Sequence, residues 1–288
     1  MSNISLFGGS GFIGGRFGQM FNSEVIVIDR DDRVPKTNEI LYLISTVDNY
    51  NIHNDLHKDI DTNLTILMDV LTNIKESEED VVFNFVSSWF VYGKNEVLPF
   101  NEERSFCNPT GFYSITKRAA EQMLISFCET FGIKYRIFRL SNVLGEHDYK
   151  VSRKKNALQH MIKCLCFDEE IFLYDGGNAV RDYIYVDDAC SAMLHCIKHA
   201  PTNQVINIAN GQPYVLGEVL EKARVASNSN SIIHNIQPPH FHDVVQVKDS
   251  YLDITKLKSY GFESQYTIDD MVEKLVDYYT KQKNENKE

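Results

Sequence analysis

Tyr113 and Lys117 stand four residues apart in the run Tyr113-Ser114-Ile115-Thr116-Lys117. On a helix that spacing puts both side chains on one face. A phenol with an ordinary pKa of about 10 is no base at neutral pH, but a neighbouring ammonium favours phenolate. The pair predicts proton transfer at a substrate hydroxyl. Ser88, just after the apolar run Val81 to Val86, is the group expected to orient that hydroxyl. A second cluster, Gly8-Gly9-Ser10-Gly11-Phe12-Ile13-Gly14, reads as G-x-G-x-x-G from Gly9 or as G-x-x-G-x-x-G from Gly8. Glycines in that pattern allow a tight turn, close approach of backbone to a pyrophosphate, and close packing of helix on strand. The free N–H groups of the following helix then meet the phosphates. Asp29 closes the next apolar run, where a carboxylate bonds the adenosine ribose and repels a 2′-phosphate. It favours NAD over NADP, although Arg30 beside it suits a 2′-phosphate.

Such groups need a scaffold. Short apolar runs at Ile4 to Phe7, Val25 to Asp29, Glu39 to Ser45, Val81 to Val86 and Lys134 to Leu140 read as strands. Helices are predicted over Phe12 to Met20, Thr62 to Ile74 and Phe112 to Phe131. Continuous apolar strands alternating with helices predict an α/β fold, a parallel sheet covered on both faces. Ser88 then lies at the carboxyl end of a central strand, where ligands bind in such sheets. Beyond about position 146 the rhythm loosens into short pieces, with a turn at Asp175-Gly176-Gly177-Asn178 and a polar, frayed end over Lys281 to Glu288.

Composition narrows the partners. The 288 residues carry a formal net charge of −11. Nucleic acid and anionic membranes call for a basic footprint and are disfavoured. No apolar run reaches the roughly 18 residues of a membrane span. The six cysteines form no Cys-x-x-Cys, so Cys164 and Cys166 read as packing residues rather than ligands, and no metal site is expected. Reduced thiols and the lack of a leader-like start point to the cytoplasm.

Four motifs in order carry a resemblance: Gly8/Gly11/Gly14; Ser87-Ser88-Trp89-Phe90-Val91-Tyr92-Gly93; Tyr113-x-x-x-Lys117; and Arg181-Asp182-Tyr183-Ile184-Tyr185-Val186-Asp187-Asp188. Together with Arg139 to Gly145 and Asp253-x-x-Lys256, the chain resembles the NAD-dependent epimerase/dehydratase family, the extended short-chain dehydrogenases. The resemblance implies a Rossmann-type doubly wound parallel sheet with a smaller, mixed α/β C-terminal domain for substrate. Residues 1–147 plus about 181–211 would bind NAD, and about 148–180 plus 212–288 a nucleotide-diphosphate sugar. It implies that Gly8, Gly11, Phe12, Ile13 and Gly14 hold the pyrophosphate, and that Asp29 and Arg30 border the adenosine. Leu43 and Ser45 pass under the cofactor, and Asn63 matches an asparagine early in the next helix. Ser88, Tyr113 and Lys117 are the implied catalytic set, Tyr113 and Lys117 also meeting the cofactor. Asn142 matches a substrate contact, and Arg181 an arginine that pairs with the diphosphate; without the motif, Arg181 reads as an ion pair with Asp182 or Asp175. A homodimer through Thr62 to Ile74 and Phe112 to Phe131 is also implied.

Departures from the pattern matter as much. Members that dehydrate hexoses carry Asp-Glu after the catalytic Ser/Thr. Here Trp89-Phe90 stand there, and neither transfers a proton. They read as packing residues or as an apolar wall of the substrate site. The stretch from Asp29 to Glu39 lacks room for the family's usual helix and strand. The family's late arginine gives way to His240-Phe241-His242-Asp243, whose histidines read as solvated loop residues. These features predict an NAD-dependent nucleotide-sugar epimerase acting at C4 of the hexose through a 4-keto intermediate, and not a 4,6-dehydratase. The alternatives are an NAD(P)H-dependent reductase of a 4-keto-6-deoxy sugar, which uses the same residues, and a non-catalytic NAD(H)-sensing protein, against which the intact Ser88, Tyr113 and Lys117 argue.

Overall fold

The computed structural model describes residues 3–75, 80–95 and 97–285. Strand β1 (Ile4–Phe7) leads through the glycine loop into α1 (Phe12–Met20), then β2 (Val25–Val27) and β3 (Glu39–Tyr42). A helical stretch follows in three parts: α2 (Lys58–Ile60), a π-helical turn (Asp61–Thr65) and α3 (Ile66–Ile74). Next come β4 (Val82–Ser88), α4 (Phe112–Phe131), β5 (Lys134–Leu140) and β6 (Asn142–Leu144). The later chain supplies α5 (Ala157–Phe167), β7 (Ile171–Tyr174), β8 (Val180–Arg181), β9 (Tyr183–Tyr185), α6 (Val186–His199) and β10 (Gln204–Ile208). It closes with β11 (Tyr214–Val215), α7 (Leu216–Ala226), β12 (Ile233–Ile236), α8 (His240–Val245), α9 (Thr255–Ser259) and α10 (Ile268–Glu285).

Six strands form one parallel sheet in the order β10-β5-β4-β3-β1-β2. Its strands are apolar on both sides because both faces are covered. Phe83, Phe85, Ile40 and Tyr42 pack with Leu67, Leu71, Ala120 and Leu124 of α3 and α4. Leu41, Val86, Phe138 and Ile206 belong to the other core, with Phe17 of α1 and Ala189 and Met193 of α6. The sheet is therefore doubly wound. Chain order reverses between β1 and β3, so their carboxyl ends open a crevice there.

In the later chain, α5 packs against α10 and α7. Three separate two-stranded sheets, β7–β12, β8–β11 and β6–β9, tie segments of the chain after β5 to one another. The chain after position 146 is thus rich in helices, not merely short pieces. The tail is helical through Glu285, with Lys283 paired to Asp168. β2 and β3 stop short of Asp29 and Ser45, and β4 extends to Ser88. The short stretch after Asp29 adds no strand, which leaves the three-residue β2 as the sheet's edge. Among the described residues no helix is long and apolar enough to cross a membrane.

Candidate active site

The glycine loop sits at the carboxyl end of β1. Gly8 has φ +85°, a region that L side chains rarely adopt. A Cβ on Gly14 would stand 2.3 Å from the Gly8 carbonyl oxygen, so only glycine lets α1 pack this closely on the loop. Gly11 caps α1 without a side chain, and the first turn carries no acidic residue. Phe12 and Ile13 open the helix beside this cradle. Its free N–H groups form a site for an anion. Asp29 and Arg30 lie exposed just past β2, beyond the crevice.

Below the crevice, the loop after β3 carries Leu43 and Ser45 and is pinned from the π-helical turn. Asn63, 1% exposed, is placed by that turn. Its Oδ1 accepts from Thr46 N at 2.8 Å and Ser45 Oγ at 3.0 Å, while its Nδ2 donates to Thr46 Oγ1 and to Thr116 Oγ1, each at 2.9 Å. One buried amide therefore joins the β3 loop to α4 beside Lys117. Asp59 extends the network, accepting from Thr46 Oγ1 at 2.5 Å and Asn51 Nδ2 at 2.9 Å.

α4 carries Tyr113, Lys117 and Glu121 on one buried face. Burial pushes the Tyr113 phenol up to about 12, with Ser88 and Ser45 pulling the other way. Lys117 Nζ donates to the Val86 carbonyl at 2.7 Å and lies 4.1 Å from the Phe85 ring centre. Burial lowers its pKa to about 7. Burial dominates at Tyr113 and Lys117 spends its bond on the Val86 carbonyl, so the expected phenolate does not follow from the lysine alone. The site as folded holds a neutral phenol. Glu121 accepts two bonds from Arg139 of β5, at 3.0 and 2.7 Å, which fixes α4 against the sheet.

Ser88, Trp89, Phe90, Tyr113, Asn142 and Arg181 all open on one cavity of about 580 Å³. The structure thus gathers Ser88 and Tyr113, the serine and tyrosine expected to do the chemistry, with every substrate-side residue singled out in the sequence. Lys117, Asn63 and the glycine loop do not line that cavity. Trp89 both packs in the core, 3% exposed, and stacks on Phe90 with ring centres 4.0 Å apart. Asn142 Nδ2 donates to the Asp182 carbonyl at 2.9 Å.

Arg181 makes no ion pair among the described residues. Its Nη1 donates to the carbonyls of Val180 and Lys248, and its guanidinium lies 5.7 Å from the Trp89 ring centre. Asp182 instead accepts from three backbone N–H groups, those of Asn210, Gly211 and Leu252. The ion-pair reading of Arg181 with Asp182 or Asp175 is therefore set aside.

Sequence reasoning missed part of the lining. Arg153, Lys154 and Lys155 bring a basic run to the cavity of an acidic chain, a signal present in the sequence as three adjacent cations. His242 lines the cavity too, on α8, and is half-buried rather than solvated. No periodicity signals a six-residue helix of this kind. His240, by contrast, is exposed as expected.

Residues 39–209 match the model of the NAD dependent epimerase/dehydratase family. A putative UDP-glucose 4-epimerase of Methanocaldococcus jannaschii is 23% identical over 265 residues, which are 90% of this chain and 83% of that protein. The fold is shared with the UDP-glucose 4-epimerase of Thermotoga maritima solved with UDP-glucose, at a TM-score of 0.87 and 22% identity over 97% of this chain and 99% of that one. A dTDP-glucose 4,6-dehydratase double mutant from Streptomyces venezuelae, solved with NAD bound, shares it at a TM-score of 0.85 and 18% identity over 98% of each. With its parallel sheet, its glycine cradle and the Ser88–Tyr113 cavity, the chain belongs to the NAD-dependent epimerase/dehydratase family and is an enzyme whose cofactor is NAD.

Proposed function

We propose that this enzyme is a nucleotide-sugar epimerase acting at C4 of the hexose through a 4-keto intermediate. The observation that carries the reading is the single cavity onto which Ser88, Tyr113, Asn142 and Arg181 all open. The two relatives named as UDP-glucose 4-epimerases support the substrate class. In this reading residues 1–147 plus about 181–211 bind NAD. Residues about 148–180 plus 212–288 bind the nucleotide-diphosphate sugar.

The positive φ of Gly8 and the contact that a Cβ on Gly14 would make fit a pyrophosphate held by Gly8, Gly11, Phe12, Ile13 and Gly14. Asp29 and Arg30 border the adenosine, with Asp29 favouring NAD over NADP. Leu43 and Ser45 run under the cofactor, Asn63 holds that loop, and Lys117 meets the ribose. When bound, NAD supplies a hydride acceptor, then a donor, and a positive charge that offsets the burial keeping the phenol neutral.

Tyr113 takes the proton from the C4 hydroxyl and later returns it to the carbonyl. Ser88 hydrogen-bonds the carbonyl oxygen, and Asn142 holds the sugar. Arg181 grips the diphosphate while the keto sugar turns over. Trp89 and Phe90 form an apolar wall and supply neither acid nor base for loss of water, so the reaction ends at epimerisation.

The test starts from purified protein without added cofactor. The protein is denatured and any released nucleotide identified by mass. Native enzyme is incubated with UDP-, GDP-, CDP- and dTDP-sugars and their 4-keto-6-deoxy forms. Retained NAD with redox-neutral isomerisation is the expected result. Consumption of added NAD(P)H by a keto sugar, or release of water from a hexose, overturns it.

A further inference from the structure

Trp89 touches both ends of the cavity at once. On one side it faces Arg181, whose guanidinium carbon lies 5.7 Å from the indole ring centre. On the other it stacks on Phe90, with ring centres 4.0 Å apart and planes at 24°. Phe90 in turn meets Tyr113 edge to face, 6.2 Å between centres at 82°, and its backbone N–H donates to Ser88 Oγ at 3.3 Å. The indole is itself anchored. It is 3% exposed and packs in one buried cluster with Val247 and Leu252. Val247 precedes Lys248, whose carbonyl accepts from Arg181. A guanidinium has five N–H donors in a rigid plane. Arg181 spends Nη1 on the carbonyls of Val180 and Lys248. Its Nε and Nη2 make no hydrogen bond among the described residues, and the side chain lines the cavity. That edge of the plane is a fork of parallel donors, which suits two phosphate oxygens. The two carbonyls fix one end of the plane, and the indole fixes its tilt.

We propose that Trp89 is a positioning residue: it aims the Arg181 fork and, through Phe90, sets the place of Ser88 and Tyr113. The diphosphate and the reacting hydroxyl are thereby held in one register. The proposal rests on the nucleotide-sugar reading of the cavity. Trp89 carries no proton in this role. It keeps both ends of the site in place before substrate arrives, which reduces the ordering cost of binding. At the reacting end a small misplacement is costly in rate, so the same side chain bears on turnover as well as on affinity. Leucine at this position lacks a π face to attract a cation, whereas phenylalanine retains one.

Trp89 is the only tryptophan of the chain, so its emission reports on the contact directly. The NAD-loaded protein is titrated with UDP, GDP, CDP and dTDP and with the four corresponding nucleosides, with binding followed by calorimetry. The tightest diphosphate should change the Trp89 emission, and its nucleoside should not. Trp89→Leu should weaken that diphosphate about fivefold and lower kcat on the matching nucleotide-sugar about tenfold. Trp89→Phe should bring both back to within about twofold of wild type. In an Arg181→Ala background Trp89→Leu should cost no further affinity, a coupling that a general loss of packing does not produce. Unchanged emission on binding of the diphosphate, losses that simply add in the double variant, or a Trp89→Phe protein as impaired as Trp89→Leu overturns the assignment while leaving the nucleotide-sugar reading in place. The emission measurement uses the wild-type chain, so it decides the matter even where Trp89→Leu does not fold. Failure of every nucleoside diphosphate to bind overturns that reading, and this proposal with it.

Discussion

Tyr113 and Lys117 illustrate what residue spacing conveys and what it omits. The i,i+4 relation correctly puts both on the buried face of α4. It could not reveal that Lys117 turns its ammonium to the Val86 carbonyl, because that acceptor comes from a strand 31 positions earlier. Tyr113→Phe removes the proposed proton carrier and should cost about a thousandfold in turnover, with NAD retained and the fold unchanged. The measurement is turnover beside cofactor content; unchanged turnover would defeat the assignment. Lys117 makes the opposite kind of prediction. Its folded pKa, about 7, lies below the ordinary lysine value, so the unfolded chain holds more protons between about pH 7 and pH 10. The cofactor-free protein should gain stability as pH rises through that window. Lys117→Met, of similar length and uncharged, should raise its melting temperature by a few degrees at pH 7, flatten the pH dependence, and abolish activity. His242 and the Arg153–Lys155 run show the limit from the other side. Their residue types were visible, but which cavity they face depends on folding of the whole later chain.

At the scale of elements, α4 and β5 fell where apolar spacing predicted them, and Glu121–Arg139 explains why they stay in register. Neither side chain is more than 3% exposed, and Arg118 adds a third bond to Glu121 at 2.8 Å. The Arg139 guanidinium holds the Glu121 carboxyl below its ordinary range against the cost of burial. Its stabilisation is present above the unfolded glutamate pKa and is lost as pH falls through the lower folded value. Glu121→Gln leaves Arg139 buried and half-partnered, so about 3–5 kcal/mol of stability should go. Denaturant titrations at pH 7 and pH 3 should show the variant's deficit shrinking in acid. Later elements were legible unevenly. α10 announces itself by Thr267-x-x-Asp270, in which Thr267 Oγ1 accepts from Asp270 N at 3.2 Å and Asp270 Oδ2 from Thr267 N at 2.8 Å, a reciprocal cap that sequence reading could have used. α6 and α7 start after Tyr185 and Val215 with no side-chain cap, so only the acidic residues of their first turns, Asp187 and Asp188 in α6 and Glu218 in α7, mark them in the sequence. The helix around Asn63 begins four residues before Thr62 for the same reason, as His57 gives no side-chain cap.

The whole molecule sets the site between a sheet legible from its apolar runs and a later lobe that was not. Doubly wound layering followed from the alternation of strands and helices. The narrow edge at β2 followed from the short stretch after Asp29. Phe112, Ile115, Met123 and Phe131 leave apolar surface exposed along α4, and Ile60 along α2. We expect two copies to bury it, giving a homodimer by light scattering at micromolar concentration. Met123→Lys should shift the mass toward the monomer, whereas a wild-type monomer would defeat the expectation. The order of strands carries one more consequence, for synthesis of the chain. Five of the six sheet strands are made by Leu140, but the neighbour of β5 arrives only at Gln204–Ile208. While residues 141–203 emerge, the backbone groups of Lys134–Leu140 have no partner on that side, and Tyr135, Ile137 and Phe138 flank an open edge. Such an edge is a template for pairing with other chains. A ribosome stalled in that interval, or a chain stopped after Gly145, should yield aggregate rather than a smaller soluble protein.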